Sequence, residues 1–369
     1  MVDIKNISLN FILSTGRTGS TLLSSMLNMH PEILSVTEEP FAYNLYPKYK
    51  NVINWSDETI EQFCYDFYLF SEGKLPTQFG SKVDLVNILK SNKDILNGEN
   101  AIKLAYFAFF PTKEKDDVKV IVDKQLKFHH FLEEVNEFYP NSKYIVLTRD
   151  PRDNVLVKMR KADKQGRQSN LLFFSKMWSY EYGLLLKKLS HINANQILRV
   201  SYEDLMIDPE STLKKVSAFL GVSYHENMMK YSEKLKSDMQ TNEHKFNNEV
   251  KKHIDLLHSG LINKVSTDKM GIWKKEFSPQ QYNTIWSICK DTSLKLGYQK
   301  DVCEDKRSYH ISDIFYYFKF LVIKIIIPKL YYKLPYNLKY KIKTLKYSNQ
   351  LKKGDFNVTK FIEKSLPKT

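Results

Sequence analysis

Cysteine is scarce in this sequence: Cys64, Cys289 and Cys303 are the only three in 369 residues. They are too few and too scattered for a disulfide framework. No CxxC pair or Cys/His cluster suggests a metal centre, and a reducing compartment fits best. Also missing is a basic N-terminal stretch followed by a long apolar run. MVDIKNISLNFILSTG reads as neither signal peptide nor anchor, so a cytoplasmic protein is expected. Arginine is missing from the C-terminal tail. From Ile311 onward there are thirteen lysines, three acids and no arginine, about +10 of the total +14. The other residues carry only about +4, so the body is nearly balanced and the excess belongs to the tail.

What remains is an ordinary globular composition, 42% apolar and 27% charged. Leu9 to Ser14 is a short apolar run ending in the turn TGRTGS. Thr21 to Met29 then reads as a helix that buries Leu22, Leu23, Met26 and Leu27. Residues 119–122, 143–147 and 196–200 are further buried-strand candidates. Helical patterns lie over 128–138, 152–162, 171–189 and 209–220. Strands alternating with helices predict a three-layer α/β fold, a central parallel sheet with helices on both faces. Residues 1–307 form the expected main domain. Within it, residues 41–100 are an aromatic-rich, mostly helical insertion and a candidate acceptor region. Residues 308–369 form a basic, partly apolar tail. Its run Ile314 to Ile327 is interrupted by Lys319 and Lys324, too short and too charged for a comfortable membrane span.

The turn Ser14-Thr15-Gly16-Arg17-Thr18-Gly19-Ser20-Thr21 places backbone amides and the positive end of a helix where a phosphate dianion would bind. A Walker A loop needs lysine before its Ser/Thr. Here Ser20 holds that position and the cation, Arg17, comes earlier, which argues against an ordinary kinase or ATPase.

RTGSTL resembles the phosphosulfate loop of the P-loop sulfotransferase superfamily, enzymes that use 3′-phosphoadenosine 5′-phosphosulfate (PAPS) and release PAP. Leu27-Asn28-Met29-His30-Pro31 is similar to the turn that ends the first helix of tyrosylprotein and many bacterial members. The resemblance implies that Arg17, Thr18, Gly19, Ser20 and Thr21 bind the 5′-phosphosulfate. It implies that Glu38, eight residues after His30, is the general base, with Glu39 as its rival. An attacking hydroxyl must lose a proton, and a carboxylate can take it. Cytosolic members place a histidine two residues after the catalytic lysine. That position is Leu126 here, and His129 and His130 are read as structural.

Val122-Asp123-Lys124 supplies the lysine that the resemblance sets at the bridging oxygen, where a cation stabilises the leaving phosphate. Twenty-four residues separate Lys124 from Arg149; Lys103 is the rival at a different interval. Arg149 in Thr148-Arg149-Asp150-Pro151-Arg152 is the implied 3′-phosphate ligand, since a guanidinium can hold two oxygens at once. Eight residues later the family has a serine and this chain has Val157, leaving Lys158, Arg160 or Lys161 to make the contact. Tyr202, in the run Tyr202-Glu203-Asp204-Leu205, is an implied nucleotide contact. Ser266, Lys269, Gly271, Trp273 and Lys274 form the implied closing loop.

The expected activity is sulfuryl transfer to an acceptor hydroxyl on a glycan or glycolipid, without a metal. Peptide tyrosine is the alternative acceptor. Below these stand an atypical P-loop kinase and a membrane-surface protein held by the tail. Lysine with interleaved tyrosine could suit nucleic acid, but the apolar run fits an anionic bilayer surface better.

Overall fold

The computed structural model describes residues 4–37, 41–70, 85–109, 117–241, 263–299 and 311–352. Its centre is a five-stranded sheet in the order β2-β3-β1-β4-β5: β1 (Ser8–Leu13), β2 (Ile33–Thr37), β3 (Val120–Gln125), β4 (Tyr144–Thr148) and β5 (Ile197–Ser201). Every pairing is parallel. Strand β2 is absent from the sequence reading. It is only five residues long and follows the His-Pro turn without an alternating pattern.

Successive side chains of a strand point to opposite faces, and the core divides accordingly. Phe11, Val36, Ile121, Tyr144 and Val146 belong to one apolar cluster. Ile12, Ile33, Val122, Ile145 and Leu147 belong to the other. Both faces are therefore covered, as a parallel sheet requires, and the three-layer expectation holds. Phe11 is fully buried and stacks on Tyr144 at 5.8 Å; burial of such a ring is worth about 1.5–3 kcal/mol.

Along the chain, α1 (Ser20–Asn28) follows β1. The insertion contains α2 (Phe41–Asn44), α3 (Tyr46–Tyr49), α4 (Asp57–Phe70), α5 (Leu85–Ser91) and α6 (Gly98–Phe109). Tyr65 is exposed, while five of its other aromatics, Phe41, Tyr49, Trp55, Phe63 and Phe67, are buried in the first cluster. These rings pack on one another and the sheet instead of facing outward.

The segment expected as one helix over 128–138 is two pieces. A 3₁₀ turn at Phe128–His130 is followed by α7 (Leu132–Phe138), with Phe131 between them at φ −138°. Phe131 leaves the helical path and stacks on Tyr43 at 3.9 Å. After β4 come α8 (Pro151–Lys164) and α9 (Leu171–Leu189), and after β5 come α10 (Tyr202–Ile207), α11 (Pro209–Leu220) and α12 (Tyr231–Thr241). The late loop leads into α13 (Trp273–Glu276) and α14 (Pro279–Lys295), which packs on α8 and α9.

The tail is helical: α15 (Ile311–Phe320), a π-helical turn over Leu321–Ile326, α16 (Ile327–Lys333) and α17 (Tyr336–Lys352). One face packs on the body. Tyr316 and Phe320 are buried, Lys324 pairs with Glu181 at 3.3 Å, and Tyr332 stacks on His130. The opposite face exposes Phe315, Phe318, Val322, Ile326 and Leu330. Their spacing of three or four residues makes this a single apolar stripe.

Candidate active site

Chain direction places the site. From β1 the chain turns through α1 towards β2, and from β4 it turns through α8 and α9 towards β5. Strands β1 and β4 are neighbours, so the crevice beyond their C-terminal ends is the switch point where open α/β sheets bind ligands.

The loop Ser14–Gly19 rises from β1 into this crevice. Thr18 Oγ1 donates to the Thr15 carbonyl at 3.0 Å, holding the loop tight. Gly19 caps α1 at φ 82°, and a Cβ there would come within 2.7 Å of the Tyr202 ring. No side chain caps α1 and its first turn has no acid, so the helix presents its positive end to the crevice. Arg17 has φ 70°, the left-handed region, which costs a non-glycine residue roughly 1–2 kcal/mol. Such strain is found where function holds a residue in place.

Arg149 enters from the end of β4. Its guanidinium lies over the Tyr202 ring at 4.1 Å and donates to the carbonyls of Lys269 (2.5 Å) and Arg17 (3.4 Å). Burial, then the neighbouring positive charge of Arg149, pushes the Arg17 pKa down. The buried Nε atoms of both arginines make no hydrogen bond, and neither does the buried Ser14 hydroxyl. Two close guanidiniums with orphaned donors are costly unless an anion completes them. The residues present therefore fit a phosphate-bearing nucleotide.

Lys124 is buried at the end of β3, opposite Ile12 of β1 and Thr37 of β2. Its neighbour Asp123 is fully buried and accepts from Tyr106 Oη at 2.6 Å and from Gln125 Nε2 at 2.9 Å, which fixes the strand end. The rival Lys103 lies on α6, paired with Glu99 at 2.7 Å beside the N-terminal end of β1, away from the loop. Glu38 and Glu39 lie outside the described residues.

The late loop reaches the site through a residue the sequence reading missed. Asp153, on the first turn of α8, accepts from the amides of Gly271 (2.7 Å) and Trp273 (3.1 Å). Trp273 is buried under Arg152, 4.0 Å from its ring centre. It is a wall of the loop's footing, not an open face. Ser266, Lys269 and Lys274 are exposed, and Ser266 Oγ accepts from the Asp268 amide. Asn154, also missed, donates to the Gly16 carbonyl at 3.1 Å and ties α8 to the loop.

Among the described histidines, His30, His129 and His130 are packed into the fold. His30 Nδ1 accepts from the Glu32 amide and Nε2 meets the Ser223 carbonyl at 2.6 Å, joining the end of α1 to the segment after α11. Burial holds His129 down at about 4 and His130 at about 3. Of the candidates for the serine lost at Val157, Arg160 pairs with Glu276, while Lys158 is buried without a hydrogen bond at Nζ.

The model of the sulfotransferase family matches residues 10–226. The chain belongs to that family and is a sulfotransferase. It is 22% identical over 312 residues to a putative protein-tyrosine sulfotransferase of Caenorhabditis briggsae, covering 84% of this chain and 95% of the relative. It is 23% identical to protein-tyrosine sulfotransferase 2 of Gallus gallus, over 62% of this chain and 55% of the relative. Among solved structures, it is similar to the sulfotransferase domain from the curacin biosynthetic pathway. That likeness has a TM-score of 0.49 and 20% identity, covering 80% of this chain and 99% of the domain.

Proposed function

We propose that the enzyme sulfates a hydroxyl of a glycan or glycolipid, in the cytoplasm and against an anionic membrane surface. The observation that carries the donor side is the pair of neighbouring arginines, Arg17 and Arg149, whose buried Nε atoms have no hydrogen-bond partner. The loop amides with Ser20 and Thr21 would hold the 5′-phosphate. Arg149 and Tyr202 would hold the 3′-phosphate end, beneath the loop from Ser266 to Lys274. Bound PAPS supplies the sulfuryl group and a phosphate leaving group. Arg17 and Lys124 keep positive charge at the strand ends, where negative charge grows. Glu38 takes the acceptor's hydroxyl proton on a carboxylate oxygen. These side chains would provide the cations and the base that the transfer needs.

The membrane reading rests on the exposed stripe Phe315, Phe318, Val322, Ile326 and Leu330, with the exposed Lys329 and Lys333 nearby. Apolar side chains at that spacing, flanked by lysines, favour an anionic interface. No described helix is long and apolar enough to cross a membrane. Peptide tyrosine is the second acceptor reading, favoured by the names of the relatives. The test is incubation of the full chain with sulfur-labelled PAPS and separate pools of glycans, glycolipids and tyrosine peptides. Label in the peptide pool alone would replace the first reading with the second.

A further inference from the structure

A cavity of about 880 Å³ opens between α8, α9 and α15, and Gly16 and Arg17 of the phosphate loop form part of its wall. Six cations line it: Arg17, Lys158, Lys161, Arg167, Lys319 and Lys324. No carboxylate is among its described lining residues. Lys158 is the most telling. Its residue is 5% exposed, and its Nζ makes no hydrogen bond. One buried carboxylate, Glu181, serves both Lys158 and Lys324, and it lies 3.3 Å from Lys324 Nζ. A buried ammonium without a hydrogen-bonding partner is costly, so this cavity is short of negative charge.

The rest of the wall is mixed: Gln165, Gln168 and Asn170 form a polar edge, and Phe173, Phe174, Met177 and Tyr316 form an apolar, aromatic side. Tyr316 and Lys319 come from α15, the same helix that turns Phe315 and Phe318 outward. One helix thus borders the cavity on one side and carries the exposed stripe on the other.

We infer that this cavity seats the acceptor, and that the acceptor carries a phosphate on an apolar stem, the phosphate lying on Lys158 and Lys161 while a hydroxyl faces Arg17. The inference rests on the sulfotransferase reading and deepens it from any glycolipid to a phosphate-bearing one. Several cations favour a phosphate because charge-assisted hydrogen bonds are the strong ones. The aromatic wall and the outward stripe favour a lipid stem over an acidic peptide.

The test uses the full chain saturated with PAP. Dihexanoyl phosphatidylinositol, below its micelle concentration, is titrated in by calorimetry. Parallel titrations use octyl glucoside, inorganic phosphate and a tyrosine peptide flanked by acids. The phospholipid is expected to bind saturably, octyl glucoside not at all, and inorganic phosphate to compete weakly as the headgroup chemistry alone. Lys158→Met, and separately the lip variant Lys161→Met with Lys319→Met, are expected to weaken phospholipid binding by about tenfold or more, from loss of charged hydrogen bonds. Far-UV circular dichroism and a cooperative thermal melt of each variant report that it has folded.

Phospholipid binding that neither variant weakens overturns the inference. So does binding that PAP abolishes, which would make the cavity part of the nucleotide site, and so does binding by the acidic peptide alone. Wild-type protein that fails to bind PAP would instead sink the sulfotransferase reading. PAP binding without phospholipid binding sinks only the acceptor inference.

Discussion

The nucleotide crevice and the neighbouring cavity share Arg17 but are built in opposite ways. Each main group of the crevice lies within a few residues of a strand end: Arg17 after β1, Lys124 at the end of β3, Arg149 after β4 and Tyr202 after β5. The cavity is assembled from α8, α9 and the tail, elements far apart in sequence. The comparison teaches that binding a common donor can be written into short local segments, because backbone at strand ends sets the geometry. Choosing an acceptor is left to side chains on helices that meet only in the folded chain.

The sharpest way to break this comparison is at the base. Glu38→Gln is expected to keep PAP affinity and lose roughly 10²–10⁴-fold in turnover. Normal turnover in that variant, with Glu39→Gln inactive, would move the role by one residue. Next in size, Lys124→Met should slow the chemical step by about 10²–10³-fold, as for removal of an electrostatic stabiliser. The same loss in Lys103→Met instead would contradict the placement of Lys103 at the far end of β1.

A third prediction sharpens the cavity side. Burial lowers the Lys158 pKa to about 8 from its ordinary 10.5. The charged form is therefore disfavoured in the fold, and this residue's contribution to stability should rise with pH from about 8 towards its unfolded value. Binding of the phosphodiester probe should go the other way, weakening between pH 7 and 9 as Lys158 discharges. The groups around Lys158 are Glu181 on α9, Lys324 in the π turn, Cys289 on α14 and, through Glu181, His129. His129 is neutral throughout that range, and burial keeps the Cys289 thiol protonated. A pH dependence unchanged in Lys158→Met would contradict this assignment.

Smaller effects concern the whole chain. PAP should raise the thermal midpoint more than ATP with Mg²⁺; a ligand at 100 times its Kd adds about 2.7 kcal/mol. A larger shift with ATP–Mg²⁺ would revive the kinase reading. Phe315→Glu with Phe318→Glu should reduce co-sedimentation with anionic vesicles at low salt while leaving PAP affinity alone. These changes suit the test better than truncation, because Tyr316 and Phe320 are buried in the body. Equal sedimentation of variant and wild type would remove the stripe from the membrane reading.

The difference between crevice and cavity also explains what could be read from the sequence. The strand, turn and helix around Arg17 are contiguous, and so are the elements around Arg149, so the apolar pattern and the resemblance of each motif pointed to them. Strand β2 did not show, because five residues buried by neighbours on both faces have no period of their own. Lys158 was visible only as one of several candidates. In the run Lys158-Met159-Arg160-Lys161 nothing distinguishes the lysine that is buried from the arginine that pairs at the surface. Glu181 and the tail decide that, and both are distant in the chain. The tail poses the same problem, since Lys324 turns inward to Glu181 while its apolar residues divide, Tyr316 and Phe320 inward and Phe315 and Phe318 outward.

Asp153 ties the late loop to the first turn of α8. Its carboxylate grips Gly271 and Trp273, while Arg149 grips the Lys269 carbonyl. Both grips start from the same junction of β4 and α8, so the loop has one latch with two hooks. Swinging the loop away releases an Arg149 hook and strips two amides from Asp153 together. Spent nucleotide would then leave at the pace of that unlatching, and Asp153→Asn should hasten departure of PAP in stopped-flow displacement without altering how fast it arrives.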